Sequence, residues 1–367
     1  MIYRKSPTAH RDSLRIGGRL SRRQNRDMTY PRSQLVSDEE PGFFHCVSRC
    51  VRRAFLCGTD QYTGKNFEHR RQWIEDRLFK LSESFAVSVY AYAVMSNHFH
   101  VVLRSDPRAP WRWSDREVAE RLLAVFPGSI SNRDDPACVE RATLALLGNA
   151  ERLDVIRQRL GSISWFMRAL NEPIARMANR EDGCTGRFWE GRFKCQALLD
   201  EQAVVSCMAY VDLNPVRAGM CETLRDSEHT SVRHRLGSTR SAIGTALDRG
   251  SQDQSLKPVA GLDSDMLADL TQRSYIELVR WTGLQTRPDK RGKLSATEKS
   301  PPEGLWSVAS HPHEWMRRVQ GTESRYYRAI GSAEALMLKA ADLGQRWMKG
   351  VSGEFALMKL REQPLPW

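Results

Sequence analysis

Between residues 42 and 213 the apolar positions switch repeatedly between a two-residue and a 3.6-residue period. The run Gly42-Phe43-Phe44-His45-Cys46-Val47-Ser48 reads as a first strand, with order beginning near Pro41. From about Phe67 to Ser84, Trp73, Ile74, Leu78 and Leu81 recur at helical spacing. Residues 85–95, FAVSVYAYAVM, are rich in Val and Tyr and lack Gly and Pro, which predicts a strand. Ser96-Asn97 is a turn signal, and His98 to Leu103, HFHVVL, is a further strand, so 85–103 form a hairpin. A helical insert follows over about 105–180. Its clearest helix, 163–179, places Ile163, Phe166, Met167, Leu170 and Ile174 on one face, with Pro173 as a kink point. Cys195–Leu199 is the last strand. Asp200 is a good N-cap for a helix that runs through Tyr210 to about Leu213.

The pattern weakens at both ends. Residues 1–40 form a basic arm, with nine Lys or Arg against two Asp in the first 32 positions. Residues 237–261, rich in Gly, Ser and Thr, read as a linker. A helix near 262–282 and a second polar linker at 286–304 come next, and the tail has helical signals at 333–348. The organisation is therefore an arm, a principal domain over 41–236, a linker, and a mostly helical C-terminal extension over 262–367. The strand–helix–strand–strand–strand–helix order of the principal domain is α+β. It predicts an antiparallel sheet with helices packed on one face.

Composition sharpens this picture in four ways. Hydrophobic residues make up 41% of the 367 positions, enough for a substantial core. No apolar run approaches the roughly 18 residues of a membrane helix, and no apolar stretch follows the basic N-terminus. A cytoplasmic protein without a membrane partner is the expectation. The eight cysteines include no CxxC pair and lie mostly in apolar segments, which favours buried free thiols over a disulfide framework or zinc ribbon. The formal net charge of +12 suits a polyanionic partner, and it equally suits a solvated basic surface.

Three groups of residues bear on chemistry. In His98-Phe99-His100 a strand points both imidazoles the same way, roughly 7 Å apart at the Cα atoms. Such a pair can chelate a divalent ion, although two half-buried histidines fit the same pattern. The second HxH, His311-Pro312-His313, lacks a strand context and reads as coincidence. Ser206, Tyr210 and Asn214 stack along one helical stripe at i, i+4 spacing, with Asn214 at the helix end before Pro215. Tyr210 then lies at the edge of the buried face, as a reactive hydroxyl or as an ordinary buried tyrosine. The run Arg187-Phe188-Trp189-Glu190-Gly191-Arg192-Phe193-Lys194 mixes cations with rings. That mixture suits single-stranded nucleic acid, and it also suits a strand edge with its rings in the core.

Taken in order, YAVMSNHFHVVLR, RFWEGRFKCQALLD and YVDLNPVRAGM resemble the REP-associated tyrosine transposases of the HUH class, named for His-hydrophobic-His. FFHCVSR is similar to that family's opening strand, and the resemblance spans roughly residues 40–235. It implies the ferredoxin-like HUH nuclease fold. It implies that His98 and His100 bind Mg²⁺ or Mn²⁺, with Asn214 where a relative supplies a third ligand, and that Tyr210 is the nucleophile. The substrate would be single-stranded or hairpin DNA from short palindromic repeats, contacted by Arg187, Trp189, Arg192, Lys194 and Arg217. The activity implied is cleavage and rejoining through a 5′-phosphotyrosine. A non-catalytic protein that binds repeat hairpins, and a nuclease using water, are the competing readings. The motifs leave monomer and dimer equally open. The insert is longer than a compact member of the family needs, and nothing after about residue 236 enters the resemblance.

Overall fold

The computed structural model describes residues 35–37, 39–51, 56–60, 63–130, 132, 134–243, 255–262, 267, 269–285, 292, 294, 300–322 and 328–361. Most of the basic arm, residues 244–254 of the first expected linker and most of the second lie outside these.

Strand β1 (Gly42–Arg49) leads to helix α1 (His69–Ser84), then to the hairpin of β2 (Val87–Val94) and β3 (His98–Ser105). The insert holds α2 (Asp115–Val125), α3 (Pro136–Leu147), α4 (Ala150–Leu160) and α5 (Ile163–Glu181). Strand β4 (Lys194–Leu198) and helix α6 (Glu201–Asp212) follow, and the short α7 (Asn214–Arg217) continues almost directly from α6. These boundaries agree closely with the periodicity. Asp200 caps α6 as expected, its carboxylate accepting from Ala203 N at 2.8 Å. Pro173 sits inside α5, which continues through it.

The sheet order is β2-β3-β1-β4-β5, where β5 is Ala329–Ile330 of the tail. The first four strands pair antiparallel, so β3 lies between β1 and β2, the arrangement of a split β-α-β unit. β5 joins β4 in parallel, which makes the sheet mixed rather than purely antiparallel.

Helices cover both faces of the sheet, not one. Phe44, Cys46, Phe99, Val101 and Leu103 pack with Ile74 and Leu78 of α1 and Phe166 and Leu170 of α5. Phe43, Tyr90, Ala93, Val102 and Leu198 pack on the other side with Val204, Cys207, Met208 and Val211 of α6. The physical reason lies in β2, which is buried at every position. A strand apolar on both sides must be covered twice. Within it a register shift between Val89 and Ala91 marks a bulge, which turns Tyr90 and Ala91 toward the same core.

The tail is built into this second layer. Residues 255–262, at the end of the expected linker, run beside β2. Val89 N donates to Ala260 O and Val259 N to Val89 O, both at 2.8 Å. Helix α8 (Ser231–Ile243) supplies the buried Arg235, whose Nη2 donates to Tyr90 O at 3.0 Å and Lys257 O at 2.9 Å. The helix expected near 262–282 is α9 (Gln272–Leu284): it starts later because residues 259–262 lie against β2 and Thr271 caps the helix. Asp212 at the end of α6 is fully buried, accepting from Tyr275 Oη of α9 at 2.6 Å, Val232 N at 2.9 Å and Ser231 Oγ. Helix α10 (Pro312–Gly321) opens at the second HxH, with His311 at its N-cap and Pro312 in its first turn. Its Trp315 is buried, donating to Thr282 Oγ1 at 2.7 Å. Helices α11 (Ala333–Asp342) and α12 (Val351–Arg361) complete the described tail. Among the described residues no helix is long and apolar enough to cross a membrane.

Candidate active site

Strand alternation sends His98 and His100 of β3 to the α6 side of the sheet, while Phe99 enters the opposite core. The register sets their neighbours. Arg49 of β1 pairs with His98, Val47 with His100, and Lys194 of β4 with Val47 on its other side. One step deeper, His45 pairs with Val102 and Gln196.

Over this patch lies Tyr210, in the last turns of α6 and only 8% exposed. Its ring meets those of His100 and His45 edge-on, at centroid distances of 5.7 and 6.1 Å. His98 and His100 are 4.8 Å apart between centroids, so both expected ligands and the expected nucleophile converge on one face. Ser206, on the same stripe, is fully buried and spends its hydroxyl on Ala203 O at 3.1 Å. Asn214 opens α7, and its amide nitrogen is buried with no hydrogen-bond partner among the described residues. Arg217 is buried rather than presented on the surface, its guanidinium carbon 5.4 Å from the Tyr210 ring centre.

His45 was not a sequence-derived candidate. Its Nε2 lies 2.9 Å from His100 Nδ1 and its Nδ1 lies 2.7 Å from Gln196 Oε1. Alternation along FFHCVSR carries the signal: His45 shares a face with Phe43, opposite Phe44 and Cys46. A histidine on the buried side of a strand needs a polar partner there.

All three imidazoles are held neutral. Burial lowers His45 to about 4 against the opposing effect of its hydrogen bond to Gln196 Oε1. Burial, then Arg49 and His45, lowers His98 to about 4. Burial, then His98, His45 and Arg49, takes His100 well below its ordinary value. Neutral imidazole is the ligating form. His100 Nε2 is buried without a hydrogen-bond partner among the described residues, which is the state expected of an atom reserved for a ligand. Among those residues no group of three or more His, Cys, Asp or Glu is arranged to hold a metal. The protein thus offers two imidazoles, which fit a divalent ion that takes its remaining donors from phosphate, water or an amide. This donor set suits Mn²⁺ better than Mg²⁺, whose preference is for oxygen.

The basic aromatic run divides. Phe188, Trp189 and Phe193 are buried, and Trp189 donates from Nε1 to Asn171 O at 2.9 Å and meets Phe99 edge-on. Trp189 is therefore a core residue and offers no stacking platform to bases, a correction to the expected contact set. The run belongs to the edge of β1: Glu190 N and Val51 N close backbone bonds with Arg49 O and Phe188 O at 2.9 Å each. That pairing turns the rings inward and leaves Arg187, Arg192 and Lys194 exposed, beside the end of β1 that carries Arg49.

None of the eight cysteines, all of them described, forms a disulfide. Cys46, Cys50, Cys57 and Cys207 are buried, whereas Cys184 is exposed.

No protein-family model matches the chain, and no curated protein matches it. Among solved structures, a REP-associated tyrosine transposase bound to a REP hairpin matches distantly. Its TM-score is 0.28 at 12% identity, over 61% of this chain and 86% of that one.

Proposed function

We propose that this protein is a single-strand DNA transposase that acts on hairpin-forming repeats, with Tyr210 as nucleophile and His98 and His100 as metal ligands. The observation that carries the reading is the convergence of Tyr210, His98 and His100 on one face of the sheet, from segments about 110 residues apart in sequence. The order of motifs around them, which resembles the HUH transposases, points the same way.

In this reading the Tyr210 hydroxyl oxygen bonds to the scissile phosphorus while the bond from phosphorus to the 3′ oxygen breaks. The phenolic proton is balanced by the proton gained at the released 3′-hydroxyl. The 5′-phosphate stays on the tyrosine, so the linkage is conserved and rejoining needs no nucleotide cofactor. A divalent ion bound by His98 and His100 would polarise the phosphate and offset the charge that develops on it. Arg217 places positive charge beside the nucleophile. Arg49, Lys194, Arg187 and Arg192 supply the basic surface along which a single strand would be held. Burial of Tyr210 and His100, with His98 half-buried beside them, limits water at the site, which disfavours hydrolysis of the intermediate.

The test is cleavage of a labelled single-stranded hairpin with Mn²⁺ or Mg²⁺, comparing wild type with His98→Ala. Metal-dependent cutting by wild type, lost in the variant while hairpin binding remains, is the expected result. Binding without cutting across several repeat hairpins would favour a non-catalytic hairpin-binding protein.

A further inference from the structure

The hydrogen-bond chain beneath Tyr210 has a direction. Gln196 Oε1 can only accept, and it lies 2.7 Å from His45 Nδ1, so the proton of that bond belongs to His45. A neutral imidazole carries one N–H, which leaves His45 Nε2 as a lone pair. That lone pair lies 2.9 Å from His100 Nδ1, so His100 is the donor there. His100 then has no proton at Nε2, the buried atom without a partner among the described residues.

We infer that Gln196 and His45 are positioning residues: they form a relay that fixes His100 as the Nδ1–H tautomer and leaves its Nε2 bare. The fold holds the relay in place. Gln196 and His45 sit directly opposite each other in the β1–β4 register, and the His45 and His100 rings lie nearly parallel, with 7° between them. The bond from Nδ1 fixes which nitrogen of His100 is left to ligate, the usual task of an outer partner at a metal-bound histidine. The assignment of Nε2 as a metal ligand rests on the proposed function, whereas the tautomer itself does not.

The experiment is ¹⁵N–¹H correlation spectroscopy of the metal-free full chain with labelled histidine, followed by separate Mn²⁺ titration by calorimetry. Wild type is expected to show His100 protonated at Nδ1 and bare at Nε2. Gln196→Leu, and independently His45→Phe, are expected to move His100 toward the Nε2–H form. Mn²⁺ affinity should then fall by about 10- to 100-fold. Circular dichroism confirms that each variant is folded, and the wild-type spectrum decides the matter even where a variant is not. An Nε2–H tautomer in wild type, or an unchanged tautomer in a folded Gln196→Leu protein, overturns the relay. The relay and the proposed function fail separately. The expected tautomer without Mn²⁺ binding supports the relay and counts against the metal-assisted reading. The opposite tautomer with tight Mn²⁺ binding overturns the relay and leaves that reading standing.

Discussion

The rings of His45 and His100 lie nearly parallel and edge to edge, 5.1 Å between centroids, and are joined through a 2.9 Å nitrogen–nitrogen hydrogen bond. The contact joins β1 to β3 at the base of the candidate site. The site is thereby built on strands at the centre of the sheet, with the tyrosine lowered onto them by α6. Side chains set on regular elements and locked by neighbours hold geometry better than side chains on loops.

The divided basic run gives a first prediction. Lys194 is exposed on β4, so Lys194→Ala should weaken DNA binding and reduce the salt dependence by about one phosphate contact. Trp189 is buried, so Trp189→Ala should cost about 3–5 kcal/mol of stability. Titrating a fluorescent hairpin at several salt concentrations, with urea unfolding of both variants, separates the two. Weaker binding by a Trp189→Ala protein of undiminished stability would contradict the placement of that ring.

A second prediction concerns pH. Burial pushes the Glu75 carboxyl up, but hydrogen bonds from His229 and Tyr92 outweigh it together and hold it below its ordinary 4.5. A depressed carboxylate contributes stability above the unfolded value and loses it as pH falls through the folded one. Glu75→Gln should therefore cost about 1–2 kcal/mol near neutral pH. The gap from wild type should close as pH drops through 4.5 and below. Thermal melts from pH 7 downward check this, and a gap that widens on acidification would refute it.

Much of this was legible in the chain. The strands β1 to β4 and the helices α1, α5 and α6 follow the apolar periodicity, and Asp200 announces the start of α6. His98 and His100 share a face because strand alternation allows nothing else. What stayed hidden depends on partners distant in sequence. Whether Trp189 faces solvent or core is decided by its bridge to Cys50 and its contact with Phe99. The second helical layer was missed although every position of β2 is apolar or small, the mark of a strand covered twice. Alternation puts His45 on the inner face of β1, but its partners, His100 and Gln196, come from the register.

Gly261 carries the third prediction. Its φ is +99°, and an added Cβ would lie 2.7 Å from Val87 O and 2.8 Å from Ser88 Cα. Gly261→Ala should destabilise the protein by about 1–3 kcal/mol, from backbone strain and the clash with β2 together. Chemical denaturation measures it. A neutral substitution would mean that residues 255–262 do not pack on the sheet as described.

The central claim is that Tyr210 bonds to DNA, and a covalent adduct tests it most directly. Wild type and Tyr210→Phe are incubated with a labelled single-stranded hairpin and Mn²⁺, then denatured and resolved, and the adduct peptide is mapped by mass spectrometry. The account predicts a metal-dependent adduct on the peptide containing Tyr210, absent from Tyr210→Phe although that variant still binds the hairpin. Cleavage that persists in Tyr210→Phe without any adduct would contradict it and point to water as the nucleophile.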